Sequence, residues 1–138
     1  MTNTMTALDT LIVILYDHFF RMREKGRQVV PWLQTVYAIA LEGVILSSLL
    51  WIMTYRIIAR NNKMPISELP FLSAFVLLAL TYFFLIKRVY FDSGKHLKLY
   101  DEYLKFPNKK QKVLKIIVLS VFLAIPFILL FILSLLDK

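Results

Sequence analysis

Leu8, Leu11, Ile12, Leu15, Phe19 and Met22 recur at spacings of three and four, which places them in one stripe along a helix. Thr10, Asp17, Arg21 and Glu24 fall on the other side. The pattern predicts an amphipathic helix within residues 6–28. Its apolar stretch is interrupted by Asp9 and Asp17 and is too short to cross a bilayer. With aromatics on one face and cations towards its end, such a helix can lie in the plane of the membrane interface; docking onto a helix bundle is the alternative. The acids precede the apolar stretch and the cations follow it, the reverse of a cleaved signal peptide.

Three later runs are continuous enough to span, which takes about 20 mostly apolar residues. They are "VVPWLQTVYAIALEGVILSSLLWIMTY", "LPFLSAFVLLALTYFFLI" and "VLKIIVLSVFLAIPFILLFILSLL", and they predict spans within residues 29–57, 68–91 and 111–137. Pro31 suits a first helical turn, where its missing N–H costs nothing. Trp32, Trp51 and Tyr55 lie near the ends of the first run, where amphipathic rings anchor at headgroup level. Ser67 is the expected N-cap of the second span, and Lys87 and Arg88 at its close can snorkel to the interface. Pro126 should kink the third helix and free the carbonyl of Phe122.

Between the second and third spans, residues 92–110 also read as helical. Leu97, Tyr100 and Leu104 share one face, and Leu99, Tyr103 and Phe106 another. Ser93-Gly94 should break the chain before this helix and Pro107 should end it. The fold class is therefore an all-α integral membrane protein: one membrane domain of three transmembrane helices, an N-terminal amphipathic helix and a helical cytoplasmic loop.

Composition agrees with that reading. Of the 138 residues 59% are hydrophobic, and the mean hydropathy is +0.65, whereas soluble domains run near 45–50% apolar. There is no cysteine, so disulfides and thiolate metal sites are excluded. The net charge of +8 would suit nucleic acid, but the cations stand between the apolar runs, as charges flanking membrane spans do. Nucleic acid is the weaker reading. The segments before the first span and between the second and third, with Lys115 just beyond, hold thirteen cations, against four in the other two. That bias puts the N-terminus in the cytoplasm and the C-terminus outward across a plasma (inner) membrane. Lys105, Lys109, Lys110 and Lys112 could dock anionic lipid or a partner protein, although topology alone accounts for them.

No catalytic constellation stands out. His18 and His96 lie on different segments without a metal-binding spacing, and Gly26, Gly43 and Gly94 are too far apart for a phosphate loop. Asp101 and Glu102 are adjacent and so point in different directions on a helix. Neither an enzyme nor a cofactor is expected. The residue that calls for an explanation is Glu42, thirteen residues from each end of the first apolar run and so near the bilayer centre. An ionised acid costs about 2.5–3.5 kcal/mol there, so it should be protonated, paired, or facing a wet cavity. Thr35, Ala38, Leu46 and Leu49 share its face. Thr81, Tyr82 and the Phe122 carbonyl come to a similar depth as prospective hydrogen-bond partners.

Two functional classes follow. In the first, the chain is a non-enzymatic regulatory, immunity or assembly subunit that recognises a membrane partner, with Glu42 as bundle glue. In the second, copies form a homo-oligomeric pore or proton-coupled transporter around Glu42. The single acid in the first span resembles the arrangement in small multidrug transporters over that helix and residue alone, since those proteins have four spans. A pore would want a polar stripe, and the Glu42 face is otherwise Thr35 and aliphatics.

The charge asymmetry is directly testable in a chain without cysteine. Single cysteines at Gly26, Lys63, Gly94 and Lys138 should react with an impermeant thiol reagent from outside only at Lys63 and Lys138. The reverse labelling would invert the topology.

Overall fold

A computed structural model describes residues 5–62 and 68–136. Ser67, the expected N-cap, and the labelling positions Lys63 and Lys138 lie outside them. The described residues contain no strand. They form α1 (Ala7–Glu24), α2 (Pro31–Asn62), α3 (Glu68–Ile86), a π-helical turn (Lys87–Asp92), α4 (Lys95–Leu104) and α5 (Asn108–Leu136).

Local chemistry sets several of these boundaries. Thr6 Oγ1 accepts from the Asp9 amide at 3.2 Å, and Asp9 Oδ2 accepts from the Thr6 amide at 3.1 Å. This reciprocal pair satisfies two donors that a helix start leaves open. α2 begins on Pro31 itself. Gly26 after α1 and Gly94 before α4 have φ of 80° and 70°, a left-handed backbone that a Cβ penalises. At the end of α4 the Gln111 amide donates to the carbonyls of Leu104 and Phe106 at 3.3 and 2.8 Å, covering oxygens that have no partner within the helix.

Among the described residues three helices are long and apolar enough to cross a membrane. α2, of 32 residues, extends about 48 Å, and α5, of 29, about 43 Å; both exceed a hydrocarbon core of about 30 Å. α2 packs against α1, α3 and α5. The buried core lies at one end of this assembly. Ile12, Val13, Ile14 and Leu15 of α1 meet Val36 and Ile39 of α2, Ile86 of α3, Tyr90 of the π-turn, and Leu99 and Tyr103 of α4. Away from that end the apolar side chains face outward. Only 28%, 11% and 0% of the three spanning windows is buried within the protein, which leaves an apolar surface far larger than a monomer in water exposes.

The single-stripe description does not hold for α1. Four consecutive residues, 12 to 15, are buried, which takes in all sides of a helix rather than one. Asp17, expected on the polar face, is 1% exposed. The helix docks into the bundle because its neighbours surround it: α2, α4 and α5 all pack on it. In α4 the sequence left two faces open, and the buried one carries Leu99 and Tyr103, while Leu97 and Leu104 are exposed.

Ile14 discriminates between the two placements of α1, because it lies off the sequence stripe yet is 0% exposed. Ile14→Ala should lower unfolding stability in detergent by about 2–5 kcal/mol, the cost of a cavity in a packed core. A change within about 0.5 kcal/mol, as for a surface position, would return α1 to the interface.

Candidate functional site

Glu42 sits in the first half of α2, and its Oε1 is buried without a hydrogen-bond partner among the described residues. The bonds expected from Thr81, Tyr82 and the Phe122 carbonyl are not formed. Tyr82 is engaged elsewhere: its hydroxyl lies 2.7 Å from Ser47 Oγ. Its ring covers Gly43, where an added Cβ would stand 3.2 Å away. Gly43 therefore permits the close approach of α2 to α3, and that approach delivers the Tyr82 hydroxyl to Ser47, one turn beyond the acid. Thr81 is exposed and donates to the Leu77 carbonyl at 2.7 Å, while Thr35 is buried and donates to the Pro31 carbonyl at 2.7 Å. Both bonds return to the residue's own helix. Pro126 lies inside α5 and removes the amide that would otherwise bond Phe122.

The acids that the structure does pair are those of α1. Asp9 Oδ1 accepts from the Tyr90 hydroxyl at 2.9 Å and from Lys95 Nζ at 2.8 Å. Burial alone would raise its pKa, but the bonds from Lys95, Thr6 and Tyr90 outweigh this and hold the carboxyl at about 2. The same bond to Asp9 raises the Lys95 ammonium. Eight residues on, Asp17 receives Arg21 Nε at 3.0 Å on both oxygens and the Tyr100 hydroxyl at 3.2 Å. Lys115 Nζ of α5 stands 3.7 Å away. Burial, with Asp17 beside it, pushes the Tyr100 hydroxyl up to about 12. Asp9 and Asp17 were missed as a unit, although an i, i+8 spacing puts two residues on one side of a helix. Two acids so spaced within an apolar stretch are the available signal for buried clasps.

The other sequence candidates remain apart. Lys105, Lys109, Lys110 and Lys112 are exposed around the start of α5, and Lys110 Nζ lies 4.1 Å from the Phe106 ring centroid. Burial, followed by the nearby Lys115 charge, lowers the pKa of His18. His96 Nδ1 is 2.9 Å from the Tyr90 carbonyl. Among the described residues no group of His, Asp and Glu is placed to hold a metal ion.

The Asp9 clasp has a definite pH signature. Because the folded pKa lies below the ordinary value of 3.8, its stabilisation is complete above that value and is lost as pH falls from 3.8 through about 2. The interval corresponds to about 2 kcal/mol at most, since Lys95 is 43% exposed and solvent screens the pair. Unfolding in detergent between pH 5 and 2 should therefore be steeper for the wild type than for Asp9→Asn. Superimposable pH profiles would deny the clasp an energetic role.

No protein-family model, curated protein or solved structure matches this chain.

Proposed function

We propose that the protein is a small non-enzymatic subunit of the plasma (inner) membrane, acting in regulation, immunity or assembly by recognising a membrane partner through its spans. The observation that carries this reading is the unpartnered Oε1 of Glu42. A buried polar atom in an apolar medium is costly until it finds a hydrogen bond, and Tyr82, an expected partner, is already engaged with Ser47. Glu42 as a whole is only half-buried, so its carboxyl can turn outward and complete a hydrogen bond with a partner helix rather than act as glue within the chain. The outward apolar surfaces of α3 and α5 supply the packing area that such an association requires, since membrane helices associate through close packing and interhelical hydrogen bonds. The cation asymmetry supports a cytoplasmic N-terminus, with the compact end of the bundle on the cytoplasmic side.

The same atom favours one second reading, a homo-oligomer that carries protons or ions through Glu42. Substitution separates the two. Gln retains a donor and an acceptor at similar size, so cross-linking in native membranes should capture the same complex with Glu42→Gln as with the wild type. Glu42→Leu should weaken it by about 1–2 kcal/mol. Wild-type protein in proteoliposomes under a pH gradient should give no proton flux above empty vesicles. A folded but inactive Glu42→Gln protein, beside a wild type with pH-dependent flux, would establish the transport reading instead.

A further inference from the structure

A cleft of about 220 Å³ opens at the compact end of the molecule, lined by Tyr16 of α1, Trp32 of α2, Lys87, Phe91 and Asp92 of the π-turn, and His96 of α4. Four of these six are rings packed edge to face or tilted. Tyr16 lies 5.2 Å from His96 and 6.3 Å from Phe91, Phe91 lies 4.5 Å from His96, and Trp32 lies 6.3 Å from Phe91, all between centroids. His96 is held in place, because a carbonyl can only accept and Nδ1 must therefore carry the proton donated to Tyr90. The π-turn supplies three of the lining residues. Its i→i+5 winding brings residues five apart onto one side, and π-turns inside helices often mark functional sites. Here the winding sets Lys87 Nζ 3.6 Å from Asp92 Oδ2.

The chemistry of this lining excludes a ligand of one sign. An array of ring faces with a carboxylate attracts an ammonium group, yet Lys87 lines the same cleft and would repel a simple cation. Lys87 attracts an anion, which Asp92 and the ring faces would oppose. A ligand carrying both charges satisfies every group, with its two ends inserted between a pair that is long and partly open to solvent, at 35% and 55% exposure. Position narrows the class. Asp92 closes the second spanning window and Trp32 stands in the first turn of α2, so the cleft lies where the apolar zone ends, at headgroup depth. Its volume is several times the roughly 30 Å³ of one water in the liquid, enough for a headgroup but not for acyl chains.

We propose that this cleft seats the ammonium–phosphate headgroup of a zwitterionic phospholipid, with the ammonium against the rings and Asp92 and the phosphate at Lys87. The assignment rests on the helices spanning a bilayer and not on any protein partner. The chain has two tryptophans, and Trp51 is exposed farther along α2. Trp51→Phe therefore leaves Trp32 as a reporter in the full chain. In mixed detergent micelles, dioleoyl phosphatidylethanolamine should change Trp32 emission saturably. Dioleoyl phosphatidylglycerol, which has the same chains and a phosphate but no ammonium, should not. Soluble O-phosphoethanolamine should bind at least about tenfold more weakly than the lipid, and Asp92→Asn and Lys87→Gln should each weaken lipid binding about tenfold, a loss of about 1.4 kcal/mol. Asp92 is exposed, so its variant should fold, and Lys87→Gln tests the opposite charge independently. Equal binding of the two lipids, or unchanged affinity in both variants, would overturn the site. O-phosphoethanolamine binding as tightly as the lipid would overturn its assignment to a membrane component.

Discussion

The arrangement depends on a carboxylate enclosed by protein. Asp17 is 1% exposed and is held by Arg21 from its own helix, Tyr100 from α4 and Lys115 from α5. Moving a charge into such surroundings costs several kcal/mol unless its partners are well placed, and removing one partner leaves most of that cost uncompensated. The clasp therefore works less as a source of stability than as a constraint on geometry. α1 cannot rotate or slide without stranding the charge, and Asp9 applies the same condition eight residues earlier through Tyr90 and Lys95. Between these two points lie Ile12, Val13, Ile14 and Leu15, the centre of the buried core. Polar registration and apolar packing thus fix the same helix in one pose.

The helices were legible in the sequence for plain reasons. Apolar runs long enough to span, Pro31 at a helix start and the Ser93-Gly94 interruption are local signals, and each depends on backbone chemistry within a few residues. The placement of α1 was not legible in the same way. Its stripe of Leu8, Leu11, Ile12, Leu15, Phe19 and Met22 is a local pattern, but Val13 and Ile14 are buried in a core completed by α2, α3, the π-turn and α4, and periodicity holds no record of those neighbours. Asp17 misled for a related reason. An acid on a helix reads as solvent-facing unless its cations are known, and Lys115 counted in the sequence only towards the positive bias of a loop.

Several polar side chains of the spans fall into two groups. Thr35, Ser48, Thr54 and Thr81 return their hydroxyls to carbonyls one turn back, which satisfies them whatever surrounds the helix. Ser47 and Tyr82 satisfy each other across α2 and α3. Glu42 belongs to neither group. Its place on α2 could be read from the sequence because position along a helix follows from counting residues. Its lack of a partner could not, since that depends on which neighbour the Tyr82 hydroxyl chooses, and the choice is set by how closely Gly43 lets α3 approach.

The clasps on α1 also impose an order of assembly. Asp9 bonds residues 81 and 86 positions away, and Asp17 bonds one 83 positions away. A ribosome adding about 5–20 residues per second completes α1 several seconds before Tyr90, Lys95 and Tyr100 exist. During that interval Asp9 and Asp17 have only the partners that lie beside them, Thr6 and Arg21, and the apolar residues between them are uncovered, a poor state to leave in water and a poor one to insert in lipid. Closure waits for α5, which brings Lys115 to Asp17. A chain stopped ahead of α5 would leave α1 uncovered on that side, so the packing of α1 can report that α5 is in place.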